Sequence, residues 1–253
     1  MRTEVDFHTI LSAAIVCWTV AVGGRADGQV IFKADFDSQP AGPLATGSPP
    51  GLPQVIIADA GASVNVVAAA GDLTERPVLL HSMVGSLAVA AFFNPSQLSS
   101  GDWRVSWDSL ILGTPINDPP EQNNVAISAS SGGSFPTIWG IKYLPTGQFS
   151  VEDDTGFHSV GTFDVGGSDH FDLNLRLDSR TYELSVNGGS LLSGGLKANG
   201  EFGHTGFSSN GRPGLQLPDF AFDNFMVQQI PEPSALALGA AAFILWVFVR
   251  SCG

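Results

Sequence analysis

Carboxylates are the first residues in this sequence whose chemistry could be catalytic, and the densest group is Glu152, Asp153 and Asp154. Glycoside hydrolysis uses two carboxyl groups that face one glycosidic bond, about 5–10 Å apart. Adjacent residues on a strand point to opposite faces, so this consecutive order does not aim three carboxylates into one groove, as Glu-x-Asp-x-Glu would. Thr155 and Gly156 follow, and the segment is interpreted as a turn with no catalytic residue.

Histidines and cysteines give no catalytic or metal-binding pattern. His81, His158, His170 and His204 lack the spacing of metal ligands, and the sequence contains neither His-Glu-x-x-His nor Gly-x-Ser-x-Gly. Each is expected to be a surface or hydrogen-bonding histidine. The two cysteines, Cys17 and Cys252, lie near the ends, which excludes disulfides, thiolate metal sites and a cysteine nucleophile between them.

Calcium is the one metal that the sequence raises. Asp35, Asp37 and Asp223 would converge if the first and last strands paired, and carboxylate oxygens are the ligands that Ca²⁺ prefers. The alternative is that they are solvated or capping carboxylates. No metal site is assigned on this basis, and no other cofactor is indicated.

Three tryptophans offer either a sugar-stacking platform or a core. Trp103 and Trp107 share the apolar face of one predicted strand, and Trp139 lies on another. Core packing is the interpretation that this common face favours.

Alternation with a period of two residues is the main structural signal, and it is clearest from Trp103 to Ser109 and from His170 to Asp178. Asn187-Gly188 then supplies positive φ for a tight hairpin. Further strands are predicted at 30–36, 54–57, 63–68, 87–93, 125–129, 138–144, 148–152, 182–186, 204–208 and 221–228. Clean alternation indicates an antiparallel sandwich with one wet face on each sheet, in a single domain over residues 27–229.

The acidity of the chain belongs to this domain. The formal net charge is -13, and residues 27–230 contain 21 acidic and 8 basic residues. A phosphate backbone would be repelled, so nucleic-acid binding is excluded.

The first 26 residues are predicted to be a signal peptide. Arg2 precedes an apolar run from Ile10 to Val22, and small residues at Gly24 and Ala26 mark cleavage after Ala26. Cleavage after Gly28 is an alternative for the site, and a buried core helix is an alternative for the whole segment.

Residues 230–253, at the C-terminus, form a second segment with a distinctive pattern. Pro231, Glu232 and Pro233 precede an apolar run from Ala235 to Val249, which Arg250 closes. This order resembles the PEP-CTERM sorting signal of Gram-negative-type bacteria. The resemblance implies a short transmembrane helix and processing by a membrane-embedded exosortase. An ordinary C-terminal membrane anchor is the alternative.

Two segments carry a fold resemblance. Residues 177–188 and the closing Phe222–Phe225 resemble laminin-G-like, concanavalin-type jelly rolls, in which the last strand pairs beside the first. The expected fold is an all-β, antiparallel jelly-roll β-sandwich, flanked by an N-terminal signal helix and a C-terminal hydrophobic helix.

Together these features predict an exported protein that is membrane-anchored before processing and afterwards lies in the cell envelope, at the cell surface or in the extracellular matrix. Its predicted partners are the exosortase, the membrane and a polysaccharide, and the domain is predicted not to be an enzyme. The alternatives are a glycan-active enzyme on a concanavalin-like fold and a purely structural or adhesive domain.

Overall fold

A computed structural model describes residues 28–46, 53–83, 85–114, 124–129, 136–197, 201–210 and 217–231. The predicted signal segment with Ala26, the motif residues Glu232 and Pro233, Arg250 and the predicted C-terminal helix lie outside this part of the chain. The described residues contain no α-helix, and therefore no helix among them has the length and apolar character needed to cross a membrane. Val30–Gln229 forms one compact unit.

The unit is built from β-strands alone. Their bounds are β1 Val30–Ala34, β2 Gly42–Pro43, β3 Val55–Ala58, β4 Ser63–Val66, β5 Val78–His81, β6 Leu87–Leu98, β7 Asp102–Ile111, β8 Asn124–Ser128, β9 Thr137–Tyr143, β10 Phe149–Asp153, β11 Gly156–Val160, β12 Asp169–Arg176, β13 Thr181–Val186, β14 Gly189–Gly195, β15 Phe202–Asn210 and β16 Phe220–Gln229.

The strands form two antiparallel sheets. Sheet A has the order β14-β13-β12-β7-β16-β5-β4-β2, and β1 also pairs with β16. Sheet B has the order β11-β10-β9-β8-β15-β6-β3. The predicted all-β, antiparallel sandwich is confirmed, and so is the pairing of the last strand with the first, in which Ala34 lies opposite Phe225.

Aromatic side chains from the inner faces of both sheets form the core. Phe222 of sheet A stacks on Phe207 of sheet B with ring centroids 3.9 Å apart. Trp107 of sheet A meets the edge of Trp139 of sheet B at 6.4 Å. Such contacts join the sheets, because stacked and edge-to-face rings add to the energy of apolar burial.

The hairpin predicted at Asn187-Gly188 is present between β13 and β14. Val186 lies opposite Gly189, and both turn residues have positive φ, 50° at Asn187 and 77° at Gly188. These angles suit a two-residue turn whose twist matches that of its strands.

Candidate functional site

The three predicted calcium ligands meet where β1 ends beside β16. Asp223 is only 2% exposed, and its Oδ1 accepts a hydrogen bond of 2.8 Å from the Asn224 amide. Burial raises the pKa of Asp223 to about 7, and the neighbouring carboxylates Asp37, Asp108 and Asp35 contribute to the rise against the opposing hydrogen bond. Asp35 and Asp37 therefore lie close enough to Asp223 to act on it electrostatically.

The three carboxylates are not grouped as metal ligands in the part of the chain that the structure describes. Within the described part of the chain, no three His, Cys, Asp or Glu side chains are grouped so that they could hold a metal ion. The geometry therefore fits a buried acid better than a cation cage.

A charged network covers the outer face of sheet A beside Asp223. His170 Nδ1 lies 2.6 Å from Asp108 Oδ1, and the Asn224 side-chain amide donates to Asp108 Oδ2 at 2.7 Å. Arg104 pairs with Asp172 at 2.9 Å, and Asp172 also lies 3.6 Å from His170 Nε2. Sequence reasoning missed this network because it depends on the register between β7 and β12, in which Asp108 faces His170.

The carboxylates Glu152, Asp153 and Asp154 are separated, as the sequence predicted. Glu152 ends the outward set of β10, whereas Asp153 points inward and is 3% exposed. Asp154 and Thr155 form the turn of the β10–β11 hairpin, since Asp153 lies opposite Gly156. The three side chains do not share a groove.

Asp153 is the centre of a structural hydrogen-bond cluster. Burial alone would raise its pKa, but hydrogen bonds from Thr155, Tyr182 and His158 outweigh burial and lower it. His158 Nε2 contacts both Thr155 Oγ1, at 2.7 Å, and Asp153 Oδ1, at 3.1 Å. A nucleophilic triad needs the two ring nitrogens to contact different partners, so this group is not a triad.

The tryptophans belong to the core. Trp103 is 7% exposed, and Trp107 and Trp139 are fully buried. A sugar-stacking platform of these residues is therefore excluded, in agreement with the core interpretation.

The remaining histidines, His81 and His204, also contact neighbouring side chains. His81 Nδ1 lies 2.6 Å from Asp219 Oδ1. His204 stacks on Phe93 with ring centroids 4.8 Å apart, and burial lowers the pKa of His204 to about 4. His204 is therefore uncharged at neutral pH.

The outer face of sheet B carries a row of small residues. Ala91, Gly206, Ala126 and Gly140 lie directly opposite one another on β6, β15, β8 and β9, and this set is called the floor row. A Cβ atom on Gly206 would meet only His204 Cδ2, at 4.0 Å, and one on Gly140 would meet nothing nearer than 3.6 Å. The space above Gly206 is therefore open, whereas Gly140 and Ala91 are buried.

Larger side chains flank the floor row on both sides. The row two residues away in one direction contains Val89, Ser208, Asn124, Lys142 and Ser150, and the row in the other direction contains Phe93, His204, Ser128 and Thr137. Rows two residues apart are about 7 Å apart, and four adjacent strands span about 14 Å. The result is a shallow trough with an Ala/Gly floor and mostly polar sides, in which His204, Ser128 and Ser150 are buried.

One end of the trough combines charge with an exposed ring. Glu152 continues the floor row on β10, and Phe157, 62% exposed, continues it on β11. The Lys142 ammonium lies 4.8 Å from the Phe157 ring centroid, and Lys197 forms an ion pair with Glu152. Sequence reasoning did not identify these residues, because they come together only through the pairing of several strands.

No protein-family model matches this chain, and no curated protein sequence matches it. Among solved structures, a sialidase matches with a TM-score of 0.59 and 12% identity, over 80% of this chain and 19% of that chain. The T. cruzi calreticulin globular domain matches with a TM-score of 0.51 and 10% identity, over 88% of this chain and 100% of that one. An alginate lyase from Pseudomonas aeruginosa, at 14% identity over 60% of this chain and 82% of that chain, has a TM-score of only 0.41.

The sialidase match corrects one prediction. The sequence is interpreted above as that of a protein that is not an enzyme, and this is contradicted by a sandwich of the same fold within the chain of a named enzyme. This chain spans about a fifth of that sialidase, and at 12% identity the likeness establishes the fold alone. No active-site residue is transferred from it.

Proposed function

We propose that this protein is a glycan-active protein that holds a polysaccharide in the trough on the outer face of sheet B. The observation that carries the proposal is the open space above Gly206, which is bordered by the Ser208 hydroxyl, the Asn124 amide and the Lys142 ammonium. Polar groups at fixed positions can hydrogen-bond sugar hydroxyls, and an exposed ring such as Phe157 can stack on the apolar face of a sugar. The β-sandwich carries all these groups on paired strands, which hold them in a fixed register.

Glu152 is the general base of this proposal. It is the acidic residue in the rows that cross β6 to β11, and its ion pair with Lys197 fixes its carboxylate beside the floor. A carboxylate beside the trough can accept a proton from a bound sugar. The sialidase likeness supports a glycan-active fold without supplying the reaction.

Filling the trough is expected to abolish glycan binding without unfolding the domain. Gly206 does not have positive φ and has open space above it, so Gly206→Val places a β-branched side chain on the floor at low conformational cost. Binding of the full chain to a polysaccharide array should be lost, while the midpoint of thermal unfolding stays within a few degrees. Unchanged binding by Gly206→Val would exclude the trough.

The same array separates binding from cleavage. Soluble products released by the wild type and absent with Glu152→Gln would support catalysis at Glu152. Phe157→Ala should weaken binding by several-fold, since aromatic contacts contribute about 0.5–1.5 kcal/mol. Val165→Ala is the matched control, because Val165 is 53% exposed but lies between β11 and β12, outside sheet B.

The proposal includes export and sorting. The signal segment 1–26 would direct export, and the Pro231-Glu232-Pro233 motif with its apolar run and Arg250 would present the chain to an exosortase in the membrane. The processed protein would then reach the cell envelope or the extracellular matrix, where polysaccharide is available.

Intact mass of the protein from its native host tests this route. We expect a species that has lost residues 1–26 and the apolar run after Pro233. Pro231→Ala with Pro233→Ala should leave the tail attached, because prolines keep this stretch extended. A mature chain that retains residues 235–253 and occurs only in membranes would identify an ordinary anchor instead.

A further inference from the structure

Charge is distributed unevenly between the two outer faces of this acidic protein. The chain has three lysines, and two of them, Lys142 and Lys197, lie at the trough of sheet B. In the rows that cross β6 to β11, Glu152 is the acidic residue, and Lys197 already pairs with it. Among the described residues of these rows, Lys142 is thus a second lysine beyond the one that Glu152 pairs with.

Lys142 has no carboxylate partner among the described residues. Its ammonium group lies over the ring of Phe157, which is opposite Glu152 on the paired strands β10 and β11. His204, on the opposite side of the floor row, is neutral near pH 7 and adds no charge. The described part of the trough therefore has a local positive charge within a chain of net charge -13.

The outer face of sheet A has the opposite character. Among the described residues of its strands β7, β12 and β13, Arg104 pairs with Asp172 and Arg176 with Glu183, and Asp108 adds further acid. An anionic polymer would be repelled from this face and attracted to the trough.

We infer that the polysaccharide held in the trough is anionic, with a carboxylate or sulfate group that pairs with Lys142. This inference rests on the proposed function and specifies its ligand class. The floor row accommodates the sugar rings. Lys142 is in the neighbouring row, and its Cα is about 7 Å from the floor row. A side group projecting from a sugar can be reached over that distance by a lysine.

The test uses three soluble polymers and the full chain. Polygalacturonate carries carboxylates, dextran sulfate carries sulfates, and dextran is neutral with the same backbone as dextran sulfate. We expect at least one anionic polymer to bind more tightly than dextran, and its affinity to fall as salt is raised, because exposed ion pairs are screened. The polymer that binds identifies the anionic group.

Lys142→Gln should weaken anionic binding about tenfold, as expected for loss of one hydrogen bond to a charged group. Lys33→Gln is the matched control, since Lys33 lies on sheet A with Asp35 and should leave binding unchanged. Equal binding of dextran, or equal losses in the two lysine variants, would overturn the inference. Binding of a neutral polymer that Gly206→Val abolishes would preserve the proposed function alone, and absence of binding by every polysaccharide tested would overturn both.

Discussion

Replacing Asp223 by asparagine is expected to stabilise the domain above pH 7 and to leave it nearly unchanged at pH 4. Asp223 is 2% exposed, and its pKa is raised from 3.8 to about 7 in the folded protein. An acid whose pKa is higher in the folded state than in the unfolded state lowers stability as pH rises between those two values. Above pH 7, ionisation of Asp223 lowers the free energy of unfolding by about 4 kcal/mol, at 1.36 kcal/mol for each pKa unit.

Chemical denaturation at several pH values measures this effect. Between pH 5 and pH 8, the free energy of unfolding of the wild type should fall by about 2–3 kcal/mol more than that of Asp223→Asn. The side-chain amide introduced by Asp223→Asn retains an oxygen that can accept the Asn224 backbone N–H, so the substitution removes charge with little loss of hydrogen bonding. Parallel pH profiles for the two proteins would contradict the raised pKa.

Asp35→Asn and calcium provide the controls. Removing the charge of Asp35 should lower the pKa of Asp223 slightly and leave most of the pH dependence. Calcium on the order of 1 mM should leave the unfolding midpoint unchanged at pH 8. A calcium-dependent rise that disappears in Asp223→Asn would instead identify a cation site at these aspartates.

The sequence predicts strands best where polar and apolar residues alternate. The strand expected from Trp103 to Ser109 is β7, Asp102–Ile111, and its inward and outward sets are those that alternation indicated. The short strands β5 and β11 were missed for two different reasons. β5 contains the consecutive apolar residues Val78, Leu79 and Leu80, which have no period of two. In β11, Phe157 and Ser159 point outward and His158 points inward, so the apolar residue is on the solvent side and the polar one on the core side.

The sites were less predictable than the strands because they depend on register. Asp108 and His170 are 62 positions apart and become neighbours only when β7 pairs with β12. The floor row requires four strands to align so that Ala91, Gly206, Ala126 and Gly140 fall in one line. Ala and Gly carry no reactive group, so the sequence gives no sign of a site at these positions. They form a floor only because the larger side chains of the flanking rows stand on both sides of them.

Replacing Trp107 by alanine is expected to lower the free energy of unfolding by about 3–5 kcal/mol, the usual cost of removing a buried aromatic side chain. Trp107 is fully buried and stacks on Phe171 at 4.9 Å with the rings 4° from parallel. Its indole N–H donates to Ser109 Oγ at 3.0 Å, and Ser109 Oγ lies 2.9 Å from Tyr143 Oη, which belongs to the opposite sheet. The substitution therefore leaves a cavity between the sheets and removes a buried hydrogen bond.

Urea denaturation of three proteins separates these two contributions. Trp107→Phe keeps a ring against Phe171 but removes the N–H donor, so it should cost about 1–2 kcal/mol, less than Trp107→Ala.

Trp107→Ala should also lose glycan binding only to the extent that it unfolds, because Trp107 faces the core, on the other sheet from the floor row and Lys142. A cost below about 1 kcal/mol for Trp107→Ala would contradict the packing of sheet A on sheet B at this point. A loss of binding by folded Trp107→Ala would mean that contacts between the sheets hold the trough in shape.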